Sequence, residues 1–177
     1  MLLAVLPALA VAAAGAAELP PPWLPLDPGA AECMSDAQGA ALHNAALRFA
    51  VQVEGQHLLP AALDNGITRE PRALTGELFT VTPRESPAVG ATRFVLTAPP
   101  GCSTITAHPQ AARAAERRPG QALDADLTDG ATGLKVHWRA TLRDGTNYVR
   151  EELSFEAATD LDLARVTLVA LDLPGAF

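Results

Sequence analysis

Aromatic residues make up only 5% of this 177-residue chain, cysteine occurs twice and tyrosine once. The two cysteines, Cys33 and Cys102, stand alone, and His57, His108 and His137 are scattered with no CxxC or HxxxH spacing, so no metal centre is read from the sequence. Basic residues are also few. Thirteen Lys and Arg face 20 Asp and Glu, the formal charge is −7, and no basic run exceeds the pair Arg117-Arg118. That balance speaks against nucleic acid as a partner, which calls for a basic footprint on the phosphates. Ser103 follows Gly101-Cys102 without the strand-GxSxG-helix setting of a hydrolase nucleophile, and no cofactor is implied by any motif.

What the chain does have is strand periodicity. Val136, Trp138, Ala140 and Leu142 alternate with Lys135, His137, Arg139, Thr141 and Arg143, the two-residue period of a strand with one buried and one wet face. After a turn at Asp144-Gly145 the alternation resumes, with Val149, Leu153 and Phe155 against Tyr148, Arg150, Glu152, Ser154 and Glu156. A third strand follows before Leu173. Glu151 breaks the pattern, since its parity places a carboxylate on the apolar face. It must meet an Arg partner there or sit where that face opens to solvent.

Upstream, Leu47 to Val53 alternates, Val53-Glu54-Gly55-Gln56 offers a turn into His57 to Leu63, and Asp64-Asn65-Gly66 is a second turn signal. Glu77 to Thr82, Thr92 to Thr97 and Gln121 to Leu127 give further short strands. Residues Ala30 to Ala45 predict a helical turn around Asp36 to Leu42 capped by Ser35 or Asp36, and Gln110 to Arg118 reads as a surface loop with at most two helical turns. Asp124, Asp126 and Asp129 lack the glycine and terminal glutamate of a calcium loop and read as a solvated turn. About eight short strands between Gly, Pro, Asn and Asp clusters predict an all-β, antiparallel β-sandwich in one domain.

The organisation expected is a secretory signal peptide over residues 1–17, a Pro-rich linker and irregular lead-in over 18–45, and the sandwich over 46–177. Leu2 to Ala17 is almost wholly apolar, ends in small residues and contains Pro7. It is shorter than the roughly 20 residues a spanning helix needs, although no Lys or Arg precedes it. The mature chain would then be secreted or periplasmic, with no membrane association after leader removal. In such an oxidising compartment Cys33 and Cys102 either pair or stay as two buried thiols. Pairing would be worth roughly 4 kcal/mol in the chain-entropy model.

Arg143-Asp144-Gly145 at a turn with Asn147-Tyr148-Val149-Arg150 entering the next strand resembles the N-terminal β-domain of secreted bacterial α-galactosidase-like glycoside hydrolases, some of them labelled enterotoxin. Ala46 to Thr80, with Leu63-Asp64-Asn65-Gly66, is similar to that domain's opening strands. The resemblance implies a supersandwich of the galactose-mutarotase-like type, a carbohydrate ligand, and a catalytic (β/α)₈ barrel elsewhere in the same parent chain. On that basis the 177 residues are expected to be a truncated or N-terminal portion.

A glycosidase needs two carboxylates about 5 to 9.5 Å apart across a sugar ring. Glu151 and Glu152 are adjacent on a strand, point to opposite faces and make no such pair, so no catalytic residue is assigned in this chain. Arg143, Asp144, Asn147 and Tyr148 are the candidates for carbohydrate contact, although Asp144-Gly145 is first of all a turn device. The function expected is a non-catalytic N-terminal sandwich of a secreted α-galactosidase-like glycoside hydrolase that supports or docks on the catalytic barrel; the alternatives are a stand-alone exported carbohydrate-binding module and a structural or interaction sandwich of the cell envelope. The first predicts an exposed apolar patch and the second a polar groove with an exposed aromatic.

Overall fold

The computed structural model describes residues 27–173, so the expected leader, the first half of the Pro-rich stretch and the last four residues lie outside the described residues. Four strands open the fold as a meander: β1 (Glu32–Asp36), β2 (Gly39–His43), β3 (Leu47–Glu54) and β4 (His57–Asn65), paired antiparallel in that order. The β3–β4 hairpin turns at Gly55-Gln56, where Gly55 takes a φ of +63°, and Glu54 pairs with His57. This is the left-handed backbone that a residue without Cβ enters at little cost.

Three short strands follow, β5 (Thr75–Glu77), β6 (Thr80–Pro83) and β7 (Val89–Gly90). The second large sheet is built from β8 (Val95–Leu96), β9 (Gly101–Ile105), β10 (Gly120–Thr128), β11 (Lys135–Arg143) and β12 (Arg150–Glu156). Strand β10 pairs along its length with β11, and on its other side with β9 and then β8, while β12 is the outer edge beyond β11. The chain then crosses over. β13 (Leu163–Thr167) pairs with β6, and β14 (Ala170–Asp172) pairs with β5.

The architecture is all-β and antiparallel, a sandwich of two large sheets extended by the smaller pairings. Its faces meet through one continuous core: Phe49 of β3 lies 6.3 Å in ring centroids from Trp138 of β11, and Phe79 meets Phe94 edge-on at 5.5 Å. Leu42, Leu58, Leu123, Leu127, Val136 and Leu142 fill the space between them. Cys33 of β1 and Cys102 of β9 form a disulfide that pins the edge of the first sheet to the edge of the second across a sequence separation of 69.

Several expectations are corrected. Residues 30–45 hold no helical turn. Asp36 instead closes the β1–β2 hairpin by accepting the backbone N–H groups of Gln38 and Gly39, at 2.7 and 3.1 Å, and so does the work of a turn where a helix cap was expected. The lead-in therefore belongs to the first sheet. Asp124 and Asp126 are not turn residues but lie within β10, and only Asp129 sits in a turn. The strands among the described residues run to β14 rather than about eight: β1 and β2 come from the expected lead-in, β7 and β9 from stretches read as loop, Leu78-Phe79 breaks the run at 77–82, and the last run divides into β13 and β14.

Candidate functional site

The second sheet has an inner and an outer face, and the chemistry divides between them. On the outer face, β10, β11 and β12 set charged residues directly opposite one another: Asp124 faces Arg139, Asp126 faces His137, Arg139 faces Glu152, and Lys135 faces Glu156. Cross-strand partners on one face are the natural sites for opposite charges. Asp124 is the hub. Its Oδ2 accepts the Ser103 hydroxyl at 2.6 Å, while its buried Oδ1 makes only long ionic contacts, 3.3 Å to Arg139 Nε and 3.4 Å to His137 Nε2, with no hydrogen bond. His137 Nδ1 lies 2.8 Å from Asp126 Oδ1.

Ser103, His137 and two aspartates thus share one surface, but in the wrong order for nucleophilic catalysis. The serine donates to the carboxylate rather than to the imidazole, so the Ser-His contact of a nucleophilic triad is not formed. Among the described residues no group of three or more His, Cys, Asp or Glu side chains is placed to hold a metal ion.

At the end of the same face, the loop between β9 and β10 folds over the sheet. Ala122 and Thr141, on the outward parity of β10 and β11, are buried there, and Arg143 anchors the loop by donating through Nη1 to the carbonyls of Arg118 and Thr106, at 2.6 and 3.4 Å. Between the loop and β12 lies a groove of about 670 Å³ lined by Arg113, Glu116, Arg143, Tyr148, Arg150 and Glu152. Arg150 reaches Glu152 at 2.7 Å and Glu116 at 3.4 Å, and Arg113 reaches Glu116 at 3.4 Å. Tyr148 stands half exposed at its rim. The volume falls within the range of small-molecule sites.

The four residues expected to contact carbohydrate do not converge. Tyr148 and Arg143 line this groove, Asn147 lines a different and more apolar one beside Leu47, Leu63, Ile67 and Leu173, and Asp144 lines neither. Asp144 is occupied with structure: its Oδ1 accepts the Ala31 N–H at 2.8 Å, and the next residue, Gly145 with φ +66°, donates its N–H to the Gly29 carbonyl at 2.7 Å. Arg118 Nη1 holds the carbonyls of both turn residues, at 3.2 and 2.9 Å. The turn that looked like a ligand contact is a clasp for the chain's entry into the sandwich.

On the inner face, Glu151 finds a partner that is not an arginine. The indole N–H of Trp138 donates to its Oε2 at 3.1 Å, and burial pushes its carboxyl up to about 7 despite that hydrogen bond, which acts in the opposite direction. Asp129, by contrast, is lowered, first by the Thr132 hydroxyl at 2.5 Å. Sequence reasoning missed Arg113, Glu116 and Arg150 as neighbours. The available signal was the charge density of Gln110 to Arg118, a short polar stretch that had to fold against some face of a sheet.

The chain matches no known family. No family model, no curated protein and no solved structure matches it. No helix among the described residues is long and apolar enough to cross a membrane, and the disulfide is compatible with an extracellular location.

Proposed function

We propose that this chain is a non-catalytic, exported β-sandwich that binds carbohydrate, belonging to a secreted glycoside hydrolase of the α-galactosidase-like kind. The observation that carries the reading is the groove at Tyr148, where an exposed aromatic ring stands beside the paired polar groups of Arg150, Glu116 and Glu152. An aromatic face covers the apolar C–H side of a sugar ring while rigid polar groups take its hydroxyls. The disulfide and the apolar stretch at Leu2 to Ala17 support export, and the resemblance at Arg143 to Arg150 supports the glycoside context.

A docking role on a catalytic barrel of the same parent chain is the second reading. It is favoured by the more apolar groove where Ile67 and Leu173 lie exposed, 53% and 44%, beside Leu63.

Calorimetry of the full chain against oligosaccharides chosen from a glycan array tests the first reading. Saturable binding that falls roughly tenfold in Tyr148→Ala is expected. Absence of binding by the folded chain across the array would overturn it and leave the docking role.

A further inference from the structure

If the groove binds carbohydrate, as proposed above, its charge selects the kind. The protein is acidic overall, at −7, yet three guanidinium groups, Arg113, Arg143 and Arg150, line this groove against two carboxylates, Glu116 and Glu152. The sharing is uneven. Glu152 pairs with Arg150 at 2.7 Å, whereas Glu116 serves both Arg113 and Arg150, each at 3.4 Å. That is well beyond the roughly 2.7–2.9 Å of a charge-assisted hydrogen bond. Among the described residues Arg143 donates to carbonyls, Arg118 O and Thr106 O. The same holds for the two arginines next to the groove in the covering loop: Arg117 donates to the Ala111 carbonyl at 2.8 Å, and Arg118 to the carbonyls of Asp144 and Gly145. Carbonyls satisfy donors without cancelling charge. The nearest remaining acidic group of the sheet, Asp124, is committed to Ser103, Arg139 and His137.

The groove is thus short of negative charge where the rest of the molecule has an excess. We infer that it is a subsite for an acidic sugar, a uronic-acid unit whose carboxylate meets the Arg113 and Arg150 guanidinium groups and whose ring lies along Tyr148. A guanidinium fork matches a carboxylate in plane, which a neutral hydroxyl cannot do. Glu116 would then be the swinging partner, exchanging two long contacts for the ligand's arrival.

The experiment is calorimetry of the full chain with trigalacturonic acid and with its fully methyl-esterified form, which keeps the same backbone and removes the charge. The acid is expected to bind at least about tenfold more tightly than the ester. That advantage should shrink when sodium chloride is raised from about 20 mM to about 500 mM, because screening shortens the reach of the guanidinium charges. Arg150→Gln and, separately, Arg113→Gln should each lower the ratio of acid to ester affinity towards one. Both arginines are exposed side chains, and circular dichroism of each variant confirms that the fold is retained. Equal affinity for acid and ester overturns the acidic specificity and leaves the carbohydrate-binding reading intact. Failure of both, together with binding of some neutral glycan on the array, also overturns it. Failure of every glycan removes the proposed function itself.

Discussion

Strands β11 and β12 carry nearly the same alternation, pair with each other residue by residue, and yet have different fates. The inward residues of β11, Val136, Trp138, Ala140 and Leu142, are all 1% exposed or less, whereas those of β12 open progressively until Phe155 is 37% exposed. The difference is position. Strand β11 is flanked by β10 and β12 and covered by the first sheet through Phe49, while β12 is the edge, with no strand paired beyond it among the described residues. Periodicity reports which face a residue points to. How deep it lies is decided by the strands on either side, which is tertiary information.

The sharpest way to break this comparison is to truncate both strands at matched positions. Trp138→Ala should cost about 5 kcal/mol, at the upper end for a large core residue, because it leaves a cavity and also strips Glu151 of its donor. Urea unfolding followed by far-UV circular dichroism measures it, and a loss below about 2 kcal/mol would mean that the centre of the sheet is no better packed than its edge.

Next in size is the staple. Replacing Cys33 and Cys102 together by alanine should cost about 4 kcal/mol in the chain-entropy model for a separation of 69, read as a lower Tm in calorimetry. An unchanged Tm would show that the two sheet edges are held without the bridge.

Glu151→Gln should stabilise the protein on the order of 2 kcal/mol at pH 8 and have no effect near pH 4. The carboxyl titrates at about 7 when folded against 4.5 as its ordinary value. Below pH 4.5 it is protonated in both states. As pH rises from 4.5 to 7 the unfolded chain releases the proton first, so wild-type stability falls across that window and levels off above it. Glutamine keeps an oxygen for the Trp138 N–H and never ionises. A variant whose Tm tracks the wild type at every pH between 4 and 8 would refute the buried-carboxylate account.

The smallest effect belongs to the edge: Phe155→Ala should cost about 1 kcal/mol or less, since much of the ring is already in water. The same denaturation assay places it, and a cost near that of Trp138→Ala would show that β12 is covered in solution.

How much of this was legible beforehand follows the same division. The β10, β11 and β12 strands, their faces and the inward parity of Glu151 could all be read from alternation, because a two-residue period is a property of the strand alone. The turns at Gly55 and Asn65 were legible for a similar reason, since Asn65 accepts the N–H groups of Ile67 and Thr68 through its own side chain. The hairpin at Asp36 was not, because Ser35-Asp36 caps a helix or closes a turn equally well, and only the pairing of β1 with β2 decides between them. The groove was less legible still. Tyr148 and Arg150 were read as outward-facing, but their partners Arg113 and Glu116 come from a loop whose resting place no local pattern encodes. The turn role of Asp144-Gly145 was legible, but its long-range partner was not: that the Asp144 carboxylate accepts the Ala31 N–H is tertiary information.

The disulfide also fixes how tension enters the molecule. The described chain begins at Asp27, is clasped at Gly29 and Ala31 by the Asp144-Gly145 turn, and reaches Cys33 at once. A pull on this end would otherwise peel β1 from β2 one pair of hydrogen bonds at a time, the weakest way to load a sheet. The bridge diverts that pull into β9, and through it into β10, a central strand of the opposite sheet. Oxidised, the sandwich must yield by shearing two layers at once; reduced, it can unzip from a corner.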